Sequence, residues 1–436
     1  MNIRQAQLPQ GWEIKKLGEV CKLTNGYAFQ SKEYTDDGYF VIRIGNVQDG
    51  YIELNNPRYI KLSEEKQKKF ILSEGDILVS LTGNVGRVGE IKEEHLPAVL
   101  NQRVAKISLN SKSLQKAYLF YFLTSEYFIT ELIKAGRGAA QQNISTTDIE
   151  NLIIPLPPLP EQQRIVSILD EAFAAIAKAK ANAEQNLKNA KELFESYLQG
   201  VFENGNWETK TIQEITKVVN GYAFASKDFK PTNTVKSVKI TNVGVKEFVE
   251  EADNYLPEKF KETLKDFQVK EGNIVIALTR TIISAGLKVA VVPASYDGAL
   301  VNQRVAALVP NEKLVNQNFL YFYLTTSGVA KYVLEHVNTL MQPNLSINDL
   351  KNMPVPCPPL KDQQTIVRQL DALRAETQKL EAVYQQKIAD LEELEKSVLQ
   401  KAFKGELRSP EGVASANDGY SPSEKKTKNK ISPERA

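Results

Sequence analysis

"PLPPLPEQQRIVSILD" runs from Pro155 to Asp170, and "PVPCPPLKDQQTIVRQLD" runs from Pro354 to Asp371. Both pass from a proline-rich segment, whose fixed φ angles make a stiff extended connection, into a sequence with helical periodicity. Pro160 and Glu161 suit a first helical turn, where the missing N–H is harmless and a carboxylate meets the positive end of the helix dipole. After the first stretch, Leu169, Ile176, Ala183, Ala190 and Tyr197 recur every seven residues, with Phe173, Lys180, Leu187, Phe194 and Val201 as a companion row. After the second, the rows are Leu370, Thr377, Tyr384, Leu391 and Val398, and Leu373, Leu380, Lys387 and Leu394. Paired apolar rows of this period mark coiled-coil seams, and a lysine inside such a row sets register and partner choice. Two helices of about forty residues, roughly 60 Å each at 1.5 Å per residue, are therefore expected to bury their stripes against each other. Asn204-Gly205 is expected to close the first with a left-handed cap, and Gly405 to stop the second. Each helix follows one globular segment, so an antiparallel pair with one segment at each end is the expected arrangement.

The duplication extends outward from these stretches. "NGYAFQSKEY" at Asn25 returns as "NGYAFASKDF" at Asn220, and "IRIGNV" at Ile42 returns as "VKITNV" at Val238. "EGDILVSLT" returns as "EGNIVIALT", "NQRVA" stands at Asn101 and Asn302, and Asn143-Ile144-Ser145 matches Asn344-Leu345-Ser346. Trp12 pairs with Trp207 at an offset of 195, and from Asn302 onward the offset stays at 201. Length changes thus fall early in each copy, where loops tolerate them. Within a copy, "YFVIRI", "DILVSL" and "VLNQRVAKI" are short β-branched and aromatic runs bounded by turn residues, which predicts strands. Ser113 to Ala135 has helical character, with Leu114, Tyr118, Tyr121, Phe122 and Phe128 read as core before a base-stacking platform is considered. The fold class expected is mixed α/β: two globular domains at 1–158 and 205–359, helical spacers at 159–204 and 360–405, and a disordered polar tail at 406–436.

Composition sets limits on function. The 436 residues are 42% hydrophobic and 25% charged with a formal net charge of +2, as in ordinary globular proteins, so any basic surface has to be local. No apolar run reaches membrane-spanning length and the first residues are polar, so a cytoplasmic chain without anchor or signal is expected. Cys21 and Cys357 lie far apart with no metal-ligand spacing around them, and His95 and His336 do not occupy equivalent places in the repeat. Phosphate-binding, dinucleotide and nucleophile-elbow motifs are absent, as is an amino-methyltransferase motif. The glycines Gly83, Gly86 and Gly89 read as tight turns, since the second copy keeps only Gly286. No catalytic residue, metal site or cofactor site is expected in this chain.

Two similar, non-identical globular domains on a fixed spacer suit a target that repeats along an axis, and two half-sites on one DNA duplex are such a target. The tandem order of "NGYAFxSK", the "GD/N-I" strand, "NQRVA" and the proline-rich entry to a long helix resembles the specificity subunits of type I restriction–modification systems, over about residues 10 to 405. The resemblance implies two target recognition domains, each reading one half of a bipartite DNA site. It also implies partners: two methylation subunits that use S-adenosylmethionine to modify adenine, and restriction subunits that use ATP and Mg to translocate and cut. Asn273 for Asp76, Arg280 for a glycine and Lys361 for Pro160 depart between the copies. A recognition chain for a fused nuclease-methylase, and a tandem coiled-coil protein scaffold, are the alternatives.

Candidate DNA-binding residues are polar or basic side chains beside glycine-rich turns. They are Ser31, Lys32, Arg43, Asn46, Thr82, Asn84, Arg87, Gln102, Arg103, Gln141 and Asn143 in the first copy. In the second they are Ser226, Lys227, Lys239, Asn242, Thr279, Arg280, Gln303, Arg304, Gln342 and Asn344. Arginine suits the guanine edge, Asn or Gln the adenine edge, and lysine the phosphates. Matched residues such as Lys32 and Lys227 suit shared backbone contacts; unmatched ones such as Asn84 against Thr281 suit base reading. The helix seam is expected at Leu169, Phe173, Ile176, Leu187, Phe194, Leu373, Leu380, Tyr384, Leu391 and Leu394.

Overall fold

The computed structural model describes residues 8–62, 65–135, 143–251, 254–337 and 343–407. It has the mixed α/β character and the tandem construction read from the sequence. The chain divides into two compact units: one runs to Asn182 and includes the chain from Lys387 onward, the other is Ala183–Gln386.

In the first unit, strands β1 (Cys21–Asn25), β2 (Ile77–Ser80), β3 (Val88–Glu90) and β4 (Val104–Leu109) form an antiparallel sheet in the order β1-β4-β2-β3. The β-branched run "ILVS" of β2 is buried along its whole length, as the centre of a covered sheet requires. A smaller sheet joins Tyr39–Ile42 in parallel to Ala98–Leu100 and carries Tyr59–Ile60 on its other side. The stretch expected as one helix after Ser113 is two, α1 (Lys116–Leu123) and α2 (Glu126–Ala135). They break at Ser125, which is buried; its hydroxyl donates to Phe122 O at 2.6 Å and accepts from Phe128 N at 3.3 Å. Tyr118, Phe122 and Phe128 are fully buried and do not form a platform. The Tyr118 hydroxyl donates to Pro155 O at 2.8 Å, and burial pushes its pKa well up.

Helix α3 (Leu159–Asn204) begins in this unit and α6 (Leu360–Lys404) ends in it. Ile165 and Leu169 near the start of α3 share one core with Leu399, Ala402 and Phe403 near the end of α6, so the two run antiparallel here. Lys180 and Glu392 pair across them at 2.5 Å, which explains a lysine inside an apolar row.

The second unit repeats the plan. Strands β5 (Thr216–Asn220), β6 (Ile274–Ala277), β7 (Val289–Val291) and β8 (Val305–Pro310) order as β5-β8-β6-β7, all antiparallel. Helices α4 (Gln317–Leu324) and α5 (Ser327–His336) pack with Leu198 and Phe202 of α3 and Val367 and Leu370 of α6. The long helices are antiparallel here too, and the Arg374 guanidinium lies 4.5 Å from the Phe322 ring centroid.

The seam differs in part from the expected rows. Leu169 and Ile176 are buried, and Phe173, Leu187, Phe194, Leu373, Tyr384 and Leu391 half-buried. Leu380 and Leu394 are 42% and 48% exposed, and Lys387 is exposed as well. After Gln363 and Leu370 the half-buried or buried companions lie both three and four residues on, at Ile366 and Val367 and at Leu373 and Arg374, and after Thr377 only Glu381, four on, is half-buried. Tyr197 is likewise outside, its place taken by Leu198. The expected left-handed cap at Gly205 is also corrected: its φ is not positive, and the residue is needed small because a Cβ would strike the Trp207 ring. Gly405 does adopt φ +72.

Candidate nucleic-acid interface

The two motifs that recur most exactly in sequence meet in space. In the first unit β1 ends at Asn25, β2 at Ser80, and β3 and β4 begin at Val88 and Val104, so four strand ends open on one edge of the sheet. Gly26 donates to Val104 O at 3.1 Å, and a Cβ on Gly26 would overlap Asn101 O, so only glycine fits. Tyr27 N then donates to Leu100 O at 2.9 Å, Gln102 N to Tyr27 O at 2.9 Å, and Leu81 N to Arg103 O at 3.0 Å. The backbone of "NQR" is locked from both sides while the Gln102 and Arg103 side chains are exposed.

The second unit builds the same edge. Gly221 lies against Asn302 O; Tyr222 N donates to Val301 O at 2.8 Å, Gln303 N to Tyr222 O at 3.0 Å, and Leu278 N to Arg304 O at 2.8 Å. Gln303 and Arg304 are exposed. Ser31-Lys32 and Ser226-Lys227 sit exposed on short 3-10 turns just after each "NGYAF", where Tyr27 and Phe29, and Tyr222 and Phe224, pack ring to ring at 4.9 and 5.1 Å.

The turns after β2 and β6 complete the edge. Gly83 and Gly86 have φ of +71 and +82, which makes them turn glycines and not a phosphate cradle by themselves. Asn84 and Arg280 are exposed on these turns. Thr82 bridges to Asn143 and Thr279 to Asn344, and the following Ser145 and Ser346 cap short helices by accepting from Asp148 N and Asp349 N. Thr82 Oγ1, Thr281 Oγ1 and Asn344 Oδ1 are buried without a hydrogen-bond partner among the described residues.

Five candidates are committed elsewhere. Asn46 and Asn242 are 1% exposed. Asn46 Oδ1 accepts from Arg43 N at 3.1 Å, and its Nδ2 donates to Glu53 O and Asn55 O at 3.0 and 3.2 Å. Asn242 does the same with Lys239 N, Val249 O and Glu251 O at 2.8, 2.8 and 2.9 Å. Both asparagines are clamps that close a loop, and neither is available to a base. Arg43 donates to Asn56 O at 2.6 Å, and Arg87 donates to Gln48 Oε1 at 2.5 Å with Asp49 nearby, so each guanidinium is turned into its own unit. Lys239 lies 4.7 Å from the Phe229 ring centroid. Gln141 and Gln342 fall outside the described residues.

Two residues were passed over by the sequence reading. Gln162 is fully buried: its Oε1 accepts from Gln115 N at 2.8 Å, and its Nε2 donates to Ser113 O at 2.7 Å and Pro157 O at 2.8 Å. Gln363 makes the equivalent set with Asn316 N, Leu314 O and Pro358 O at 2.7, 3.1 and 2.8 Å. The first glutamine of each "QQ" therefore ties the start of a long helix to the loop before α1 or α4. The signal available in sequence was its identity in both copies while Pro160 changed to Lys361.

Among the described residues no group of His, Cys, Asp and Glu is placed to hold a metal ion, and no helix is long and apolar enough to cross a membrane. Burial pushes the Cys21 thiol up to about 12, far from a nucleophile's range.

The family model described as "Type I restriction modification DNA specificity domain" matches this chain twice, at residues 9–188 and 204–391. The chain belongs to the type I restriction–modification DNA specificity family. The specificity subunit of the type I restriction enzyme MjaVIII from Methanocaldococcus jannaschii is 25% identical over 419 residues, covering 92% of this chain and 94% of the relative. The EcoKI specificity subunit of Escherichia coli K12 is 24% identical over 444 residues, covering 92% and 90%. Among solved structures, a chain from work on assembly and conformational transition of the type I R-M system superimposes with a TM-score of 0.72 at 20% identity, covering 92% of this chain and 99% of that one. The HsdS subunit of Thermoanaerobacter tengcongensis gives 0.58 at 20% identity, covering 92% and 98%. At these identities the structures speak for the fold, which this chain shares along nearly its whole length. As a member of the specificity family it is a DNA-recognition chain, and its two family matches fall on its two copies of one edge.

Proposed function

We propose that each unit reads one half of an asymmetric bipartite DNA site through the strand-end edge just described. The observation that carries this is the duplicated lock of "NGY" on "NQR", which holds an exposed Gln-Arg pair at the same place in both units. Ser31, Lys32, Thr82, Asn84, Gln102, Arg103 and Asn143 form the first interface, and Ser226, Lys227, Thr279, Arg280, Gln303, Arg304 and Asn344 the second. Target recognition domains at 1–158 and 205–359 are joined by spacers at 159–204 and 360–405 that set the distance between half-sites. The exposed apolar side chains Leu193, Tyr197, Leu380 and Val383 of the long helices, 51%, 41%, 42% and 60% exposed, are the proposed docking sites of methylation subunits.

In this reading catalysis belongs to partners in the cytoplasm: two methylation subunits using S-adenosylmethionine on adenine, and restriction subunits using ATP and Mg. The test is affinity for the cognate duplex against salt, with this chain in complex with its methylation partner. Arg103→Ala and Arg304→Ala should each flatten the logarithmic salt slope by about 0.9, one phosphate contact apiece. Affinity that does not fall with salt would remove the DNA reading and favour a protein scaffold.

A further inference from the structure

Arg280 stands where the first unit has glycine. With Gly75 matched to Gly272, Arg280 falls on Gly83, and the two have φ of +48 and +71. Both turns use the left-handed region, which a Cβ disfavours and glycine enters freely. The second unit thus keeps a side chain at a position where the fold itself asks for none, and strain of this kind gathers where a side chain has to be held in one place.

The turn is firmly seated on either side of Arg280. Leu278 N donates to Arg304 O at 2.8 Å, Thr281 N to Pro343 O at 3.0 Å, and Lys288 N to Thr281 O at 2.8 Å. Arg280 is exposed and makes no salt bridge among the described residues. Lys288 lies close enough that, after its burial, the Arg280 charge is what lowers its proton affinity. Lys288 Nζ donates to Ile240 O at 2.9 Å, whereas Arg280 is exposed, so of these two cations it is the guanidinium that stands available to an electronegative, hydrogen-bonding ligand.

Resting on the DNA reading above, we propose that Arg280 reads a guanine in the half-site held by the second unit, its guanidinium donating to the O6 and N7 edge. The contrast between the units decides base against phosphate. Phosphate contacts carry no sequence information and are the same for any half-site, as Gln102 and Gln303, Arg103 and Arg304, and Lys32 and Lys227 are the same. Arg280 is matched by a residue with no side chain, so it is a feature by which the two half-sites differ.

The experiment measures binding of the full chain, in complex with its methylation partner, to duplexes in which each base pair of the second half-site is replaced in turn. Wild type should prefer G·C at one position by roughly tenfold or more. Arg280→Gly should bind all four base pairs there equally, keep its discrimination elsewhere, and melt no lower than wild type because the turn is relieved. Arg280→Lys, which keeps the charge and loses the fork, should also lose the preference. The proposal is overturned if Arg280→Gly discriminates as wild type does, if Arg280→Lys retains full preference, or if Arg280→Gly weakens every duplex equally with a shallower salt slope. A wild-type complex with no base preference at any position overturns the DNA reading itself, a result distinct from these.

Discussion

Replacing Gln162 by alanine should loosen the first unit at a single, locatable joint. The side chain is fully buried and its amide satisfies one N–H and two carbonyl groups, from Gln115, Ser113 and Pro157. Removing it costs more than the net worth of three hydrogen bonds, because these partners stay behind with no replacement. Leaving a buried polar group unsatisfied costs about 1–3 kcal/mol, and partial access of water to the exposed side of the loop brings the sum to about 3 kcal/mol. For a unit of this size each kcal/mol lowers the melting temperature by about 2–4 °C, so Gln162→Ala should melt roughly 6–12 °C lower. Hydrogen exchange gives the location: the Gln115 amide should lose protection while the Asn316 amide, held by Gln363, keeps it. Gln162→Glu keeps the acceptor for Gln115 but sets a carboxylate against two carbonyls. Its folded-state pKa should therefore be raised, with stability present at low pH and lost as pH rises through that value. A melting temperature within 1 °C of wild type, or unchanged protection at Gln115, would refute the reasoning.

Gly26→Ala should be among the most damaging substitutions in the first unit, because the added carbon overlaps backbone atoms of Asn101, whose N–H donates to Ile42 O and whose carbonyl accepts from Val104 N. A loss of about 2–4 kcal/mol by denaturant titration is expected, and one below about 0.5 kcal/mol would contradict the lock. His95 is 3% exposed and its Nδ1 accepts from Lys92 N at 2.9 Å, which suits the neutral ring. Burial lowers its pKa from the ordinary 6.5, so the unfolded chain takes up this proton first and stability should fall as pH drops below 6.5. His95→Asn, which retains an acceptor for Lys92, should lose that component of the pH dependence between 7 and 5.

Much of the architecture was legible because the chain is written twice. A seam of period seven, a proline entry and paired turn motifs are local patterns, and local patterns survive in sequence. Leu380, Lys387 and Leu394 of the second helix lie outside the seam although their spacing suits it, because rows three and four residues on fit a helical period of 3.6 almost equally well, and packing alone decides between them. Leu380 and Leu394 look apolar and therefore inward, yet nothing within their own helix says which side its partner takes. Asn46 and Asn242 show the same limit for polar residues: a side chain that closes a loop of its own backbone and one that meets a base have the same composition. Gln162 was hidden differently, since its three partners come from a loop almost fifty residues earlier and from the proline segment. Recurrence between the copies does not separate the two cases, since the exposed Gln102 and Arg103 recur as Gln303 and Arg304 just as the buried clamp Asn46 recurs as Asn242.

The most direct test of the account is a map of adenine methylation across the genome of a host that expresses the partner subunits, with this chain intact, deleted, or with residues 1–158 exchanged for those of a relative. The account predicts a bipartite motif with an unread central gap that vanishes on deletion and changes in one half alone on exchange. A methylation pattern identical in all three strains would contradict it.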